Sequence, residues 1–494
     1  MTHQDDETSS IIVRLIGGSS LALAGTVLTK GLNLVFQVLL GRYLGPTVYG
    51  WFTVGQSFLT VGKSISLFGL HNSVTKFVSQ YYGEEDYANA FATLSFSALV
   101  SGSFSLIISL VIVTKPTLVS VGIFNNPEIT STIQILSLLL PVHTLIQISK
   151  SFLQAVQKFS WMSISHVSGS FFEVVFILLV GYLGLRYETV LWLIVLSSLL
   201  SLIIALTMVT IIIYYKLSWD GFTMKPKKIL RFGIPLFFSG IAFTFMSKID
   251  IFLIEFFGQS DSVGVYNAAL LLSGIISLPL TGLNQAISPI ISDLYNQNKK
   301  TELTETLQWS TRWISTVGLG FGIIFFIFSD EIILLWGEDY YYGGVFLSIL
   351  VIPKIVNAVT GSSGFVLQMT EHQDLALVNN ITSLVVNIIL DIILIPRYGP
   401  IGAAIGTAVA LSLNNILCLI EVNVLVGLSM HNASIFRAIF SGFLVLIVGQ
   451  LLGNTAIIWE LQIVFIVIIF SVLSVALLTK RDKDLLRKII KQTI

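Results

Sequence analysis

Six ionisable side chains stand inside long apolar runs of this chain. They are four lysines and two acids: Lys30, Lys63, Glu173, Lys248, Asp250 and Lys354. A charge deep in a bilayer costs at least about 2.5 kcal/mol, so such a residue normally has a function or a partner. Four cations against two anions leave a positive excess, and lysine suits phosphate as a flexible point charge. These residues predict a polar chamber that favours an anionic group.

Amide side chains repeat beside these charges with helical spacing. Asn33 and Gln37 follow Lys30 by three and seven residues, and Asn357 follows Lys354 by three. A single polar stripe on an apolar helix indicates a polar interior, because lipid does not tolerate such a stripe. The candidate substrate-binding residues are Lys30, Asn33, Gln37, Gln56, Lys63, Lys248, Lys354 and Asn357.

The acids leave a second interpretation open. Glu173 and Asp250 are candidates for ion coupling, but ion pairs with two of the lysines would instead only hold helices together. His166 shares a stripe with Glu173 and is interpreted as a polar core residue, with proton transfer as the alternative.

Composition predicts an all-α polytopic membrane protein. Hydrophobic residues make up 54% of the 494 residues and charged residues 11%, whereas soluble domains carry about 25% charged residues. We predict fourteen transmembrane helices, each in an apolar run of about 20 residues. Zero net charge argues against a nucleic-acid partner. The single Cys418, the absence of a zinc motif and the absence of a phosphate loop predict no metal and no cofactor.

The chain contains an internal duplication. The segment RLIGG at residues 14–18 is matched by RFGIP at residues 231–235, 217 positions later, and Arg186-Tyr187 by Arg397-Tyr398, 211 positions later. Ordered landmarks at a nearly constant offset indicate a repeat. Six spans are an even number, so the two repeats are parallel. We predict an N-lobe at residues 1–220 (helices 1–6), a C-lobe at 221–428 (helices 7–12), and two extra helices with a basic tail at 429–494.

Basic residues predict the orientation. Fourteen spans put both termini and the even-numbered loops on one side, which carries eighteen Lys and Arg residues, Lys150 among them, against four on the other side. Because basic loops favour the cytoplasm, we expect a multi-pass protein of the cytoplasmic membrane with both termini cytoplasmic. The basic tail is expected on the membrane surface, with partner docking as the alternative.

Three segments resemble those of a known family. They are NIILDIILIPRYGPIGAA at residues 387–404, FGIP at 232–235 with GVYNAA at 264–269, and GRYLGP at 41–46. Over about residues 10–425 the chain resembles the polysaccharide-biosynthesis (Wzx-like) oligosaccharide-lipid flippases. The resemblance implies the fold of the multidrug/oligosaccharidyl-lipid/polysaccharide exporter (MOP) superfamily, with two six-helix lobes around a V-shaped cavity. It also implies rocking between inward- and outward-open states.

The expected function is therefore transport rather than catalysis. The resemblance implies flipping of an oligosaccharide linked to polyprenyl or dolichyl (pyro)phosphate, for cell-surface polysaccharide or glycan biosynthesis. Membrane lipids and glycan-assembly enzymes are the expected partners. The alternative is a cation-coupled, MATE-like exporter of small organic molecules. Those exporters bind cations through an acid in the first helix, where this chain has Lys30. A glycan polymerase or ligase is a third class, but the predicted outer loops are short.

Overall fold

Helices make up nearly all of the described structure. It is a computed structural model that describes residues 2–216, 226–431, 447 and 470. Within these residues no strand occurs, which agrees with the predicted all-α class. Eight described helices are long and apolar enough to cross a membrane, or ten if each of two bent pairs is one span. The chain is thus a multi-pass membrane protein, and the count of fourteen stays a prediction.

The helices follow one another with short connections. The first part of the chain forms α1 (Thr2–Leu67), α2 (Leu70–Gly83), α3 (Tyr87–Thr114), α4 (Thr117–Ser120), α5 (Thr130–Ser137), α6 (Leu139–Ala155), α7 (Phe159–Leu183) and α8 (Tyr187–Lys216). The second part forms α9 (Pro226–Met246), α10 (Ile249–Phe256), α11 (Ser260–Ile275), α12 (Leu278–Asn296), α13 (Lys300–Ile327), α14 (Ser329–Ile333), α15 (Gly343–Thr360), α16 (Ser363–Met369), α17 (Gln373–Tyr398) and α18 (Pro400–Glu421). Predicted spans thirteen and fourteen and the basic tail lie almost entirely outside the described residues.

The chain divides into two compact units, residues 1–264 and 265–494. Helices α9 and α10 belong to the second repeat by sequence, yet they pack with α1 and α2 in the first unit. The predicted lobes at 1–220 and 221–428 describe the repeat and remain a prediction.

The backbone carries the duplication that the sequence predicts. Helices α3 and α13 both have 28 residues, and their first residues are 213 positions apart. Left-handed backbone positions recur at offsets of 213 to 215 residues: Gly45 and Gly258, Glu85 and Asn298, Gln157 and Glu371, and Gly184 and Gly399. Gly45 marks the kink inside α1, and the other seven positions lie in turns between helices. The two repeats therefore place residues with positive φ at corresponding positions.

Two breaks interrupt the helices that carry candidate site residues. Phe68 and Gly69 have φ of 45° and 69° and separate α1 from α2. Ser247 and Lys248 separate α9 from α10, where Lys248 leaves the helical conformation at φ −129°. Broken helices in membrane transporters commonly line substrate sites, because irregular backbone needs protein or water around it.

Candidate functional site

Three lysines from three different helical segments converge in the first unit. Lys63 lies in α1, Lys150 in α6 and Lys248 at the start of α10, and each is partly buried. The charge of Lys63 acts on both Lys150 and Lys248. We refer to Lys63, Lys150 and Lys248 as the lysine cluster. Of the three, Lys63 and Lys248 were expected from the sequence.

A hydrogen bond next to the cluster fixes two of its helices. The Ser64 and Thr244 hydroxyls are 3.0 Å apart and connect α1 to α9. Ser64 follows Lys63 directly, and Thr244 lies one turn before Lys248. Lys248 itself stands at the break before α10, and its backbone N–H donates to the Phe245 carbonyl at 3.0 Å. The helix break and this cross-link together hold the two lysines on adjoining elements.

Lys150 is a site residue that the sequence indicates only as one of the basic residues of the expected cytoplasmic side. In the structure it lies within α6, which continues for five residues beyond it, to Ala155. His143, Gln147 and Lys150 are spaced by four and three residues, which puts them on one face of α6. The same spacing in other spans marks polar stripes, so this signal was available in the sequence.

Histidines and one acid complete the electrostatic surroundings of the cluster. The charge of Lys63 acts on three histidines as well: His71, His143 and His166. His143 also lies 3.1 Å from the Ser198 hydroxyl, which connects α6 to α8. Glu173 in α7 acts on Lys150 with the opposite sign. Asp250 stands two residues from Lys248, so the three lysines outnumber these two acids by one when all five groups are charged.

The candidate glutamines hydrogen-bond to each other. Gln37 donates to the Gln56 side chain at 3.3 Å and accepts from the Tyr49 hydroxyl at 2.9 Å. Gln37 is 3% exposed, whereas Gln56 is only partly buried. This network joins the two segments of α1 across its kink at Gly45. It leaves Gln56 as the more accessible of the two amides.

The remaining candidates lie on the first segment of α1 and on α15. Lys30 is exposed on α1 and Asn33 is half-buried. Lys354 and Asn357 lie on α15 in the second unit, where Asn357 donates to Asn415 of α18 at 2.7 Å. Lys354 and Asn357 keep their predicted spacing of three residues on one helix.

Two acids lie in α10, and only one was expected. Asp250 is 7% exposed, and Glu255 is completely buried. The Glu255 carboxylate accepts from Asn126 at 2.7 Å and from Ser260 at 3.0 Å. Glu255 stands in an apolar run like the six ionisable residues above, so the same criterion identifies it. Its hydrogen bonds indicate a structural role at this end of the helix.

More than half of the chain matches a known protein family. The family model described as "Polysaccharide biosynthesis protein" matches residues 15–295, which is more than half of the sequence. The chain belongs to this family. A second family model, MatE, matches residues 235–393. The family agrees with the one that the sequence motifs resemble.

Similar proteins include two from Haloferax volcanii. One, "Probable low-salt glycan biosynthesis flippase Agl15", is 30% identical over 182 residues, covering 36% of this chain and 38% of that protein. The other, "Probable flippase AglR", is 30% identical over 177 residues, covering 35% of this chain and 37% of that protein. The chain therefore matches less than two fifths of the length of either relative.

The fold is that of MOP-superfamily transporters. The structure of "Lipid II flippase MurJ, inward closed conformation" superposes with a TM-score of 0.72 at 16% identity. The match covers 94% of this chain and 99% of that one. At this identity the likeness concerns the fold alone, and it confirms the predicted MOP-type architecture.

Proposed function

We propose that this protein flips an oligosaccharide linked to a polyprenyl or dolichyl (pyro)phosphate across the cytoplasmic membrane by alternating access. The observation that carries the proposal is the lysine cluster, in which three cations from three elements of the chain outnumber the acids Glu173 and Asp250. Family membership and the names of the two Haloferax relatives support the same substrate class. Transport of a lipid-linked oligosaccharide for glycan biosynthesis would account for the lysine cluster and for the family membership.

The lysine cluster would act on the phosphate rather than on the sugar. Moving an uncompensated charge through hydrocarbon costs several kcal/mol, and ammonium groups along the path offset that cost. Lysine has no rigid hydrogen-bonding geometry, so it can follow a phosphate that moves. Gln56, Asn33 and Asn357 would serve the sugar hydroxyls. The lipid tail would stay in the bilayer, and the enzymes that assemble and use the glycan would supply and remove the substrate.

The second candidate function is a MATE-like exporter of small organic cations. The MatE family match at residues 235–393 favours it. The charge of the cluster opposes it, because organic cations need acidic partners and the cluster keeps a positive excess. The two functions therefore differ in the sign of charge that the site accepts.

The test uses the purified full-length protein in liposomes that contain a polyprenyl diphosphate carrying a fluorescent trisaccharide. A membrane-impermeant glycosidase reports how fast the label moves between leaflets. We expect fast exchange for the wild type and almost none for Lys63→Gln/Lys150→Gln/Lys248→Gln. The control is Lys115→Gln/Lys158→Gln, which removes two exposed lysines outside the cluster. Exchange that is equal in all three, or ethidium transport without lipid exchange, would contradict the proposal.

A further inference from the structure

A second group of cations forms a pocket where α2 meets α9. The cavity has a volume of about 930 Å³. It is lined by Lys76, Phe77, Gln80, Pro226, Lys227, Lys228, Arg231 and Phe232. We refer to these residues as the basic pocket. Four of them are cations, and none of these described lining residues is acidic. The basic pocket is separate from the lysine cluster in composition, since the two share no residue.

Aromatic rings orient the cations of the basic pocket. The Lys76 ammonium lies 4.0 Å from the centre of the Phe232 ring, and the Lys228 ammonium lies 4.8 Å from the centre of the Phe77 ring. A cation–π contact positions an ammonium group without neutralising its charge, unlike a salt bridge. Both lysines are exposed. The pocket thus presents ordered positive charge to a ligand.

The contact between α2 and α9 makes the pocket rigid. Gly69 lies so close to Gly233 that a Cβ atom at Gly69 would clash with the Gly233 carbonyl oxygen. The Ser73 hydroxyl donates to the Ile229 carbonyl at 3.0 Å. The backbone contact and the hydrogen bond fix the positions of the two helices that carry the lining residues. The backbone of the pocket would then need little rearrangement on binding.

One face of α9 continues from the basic pocket as an apolar surface. Lys227, Arg231, Ile234 and Phe238 are spaced by four, three and four residues, so they share one face of the helix. Ile234 is 44% exposed and Phe238 is 64% exposed. The face is basic at the start of the helix and apolar over the following two turns. An anionic lipid has the matching order, a charged headgroup followed by acyl chains.

We propose that the basic pocket binds the phosphate headgroup of an anionic membrane lipid, with the acyl chains along the exposed face of α9. Basic pockets between transmembrane helices on the cytoplasmic side commonly hold such headgroups. Inorganic phosphates share the headgroup chemistry but would not use Ile234 and Phe238. The basic pocket shares no residue with the lysine cluster, and this proposal does not depend on the identity of the transported glycan.

The experiment measures lipid binding to the purified full-length protein in a neutral detergent, by native mass spectrometry and by thermal stabilisation. The probe is phosphatidylglycerol, and phosphatidylcholine is the zwitterionic comparison. We expect phosphatidylglycerol to bind and stabilise the wild type. Lys76→Gln/Arg231→Gln should weaken that binding about thirtyfold, from the attraction of roughly two surface cations. Lys76→Arg/Arg231→Lys should retain it.

Three controls distinguish the possible outcomes. Lys115→Gln/Lys158→Gln removes two exposed lysines elsewhere and should bind phosphatidylglycerol like the wild type. Phe238→Ser should weaken phosphatidylglycerol binding but leave any pyrophosphate binding unchanged. The melting temperature of each variant without lipid shows whether it is folded. Unchanged lipid binding in the folded Lys76→Gln/Arg231→Gln protein would overturn the proposal. Pyrophosphate that binds as tightly as the lipid would overturn it too, because the site would then be one for soluble phosphates.

Discussion

The two units use different polar chemistry inside their apolar helices. The first unit contains the lysine cluster and three histidines on which Lys63 acts. In the described part of the second unit, amides pair with each other and with nearby acids: Asn357 with Asn415, Asn380 with Asn414, and Asn379 with Glu421. Amides satisfy one another as neutral pairs, whereas clustered cations repel one another. The duplicated scaffold has therefore kept its turns while its polar lining has diverged.

This difference suggests that the two units have different roles. The neutral amide pairs Asn357–Asn415 and Asn380–Asn414 each join two helices by a direct hydrogen bond, between α15 and α18 and between α17 and α18. A group of cations is stabilised by a bound anion, which relieves the repulsion between the positive charges. We therefore expect headgroup recognition to depend mainly on the first unit and helix association mainly on the amides of the second.

Reversal of the central charge should have the largest effect. Lys63→Glu places an anion where the phosphate would pass, so we expect transport in the liposome assay to fall roughly hundredfold. Lys158→Glu makes the same charge change at an exposed position outside the cluster and should transport normally. Near-normal transport by folded Lys63→Glu protein would rule out a cationic path in the first unit.

A matched pair of neutral substitutions compares the units directly. Lys150→Gln and Lys354→Gln each remove one partly buried lysine from a helix interior. We expect transport to fall about tenfold for Lys150→Gln, which corresponds to about 1.4 kcal/mol, and less than about threefold for Lys354→Gln. The liposome assay measures both at equal protein content. The opposite ranking would place headgroup recognition in the second unit.

Much of this architecture follows from the sequence, and the reason is physical. Apolar length, charge bias and a constant offset between landmarks each reflect a global constraint of the bilayer or of duplication. They predict the all-α class, the repeat and the presence of Lys63 in a helical span, whereas the helix break at Lys248 is seen only in the structure. Hydrogen-bond partners are different, because they depend on which helix faces meet. The mutual bonding of Gln37 and Gln56 could not be predicted from spacing within one helix.

Lys150 is a site residue that hydropathy does not identify, although the spacing of polar residues does. An apolar run ends where hydropathy falls, and a lysine in the last turns of a helix looks like the beginning of a loop. The helix continues to Ala155, and Phe152 on the face opposite Lys150 is fully buried. The spacing of His143, Gln147 and Lys150 carries the missing information. A search for polar stripes across the predicted ends of spans would have found it.

Removal of the acid near the cluster should strengthen substrate binding. Glu173 opposes the charge of Lys150, so Glu173→Gln increases the positive excess. We expect the substrate concentration for half-maximal transport to fall about fivefold, for roughly 1 kcal/mol of added attraction. The control is Glu188→Gln at the start of α8. Complete loss of transport in Glu173→Gln would instead support a role for this acid in ion coupling.

The amide pair of the second unit should contribute only a small free energy to helix association. Asn357 and Asn415 connect α15 to α18 with a 2.7 Å hydrogen bond. Such bonds in membrane proteins contribute about 0.6 kcal/mol on average in double-mutant cycles. Unfolding of Asn357→Ala, Asn415→Ala and the double variant should give a coupling free energy of this size.

Because Asn357 is also a candidate for sugar binding, transport by the same variants provides a second measurement. If the amides only hold the helices together, both single variants should lose transport to the same small extent. A larger loss in Asn357→Ala than in Asn415→Ala would show that Asn357 also contacts the substrate, and the division between the units would then be incomplete.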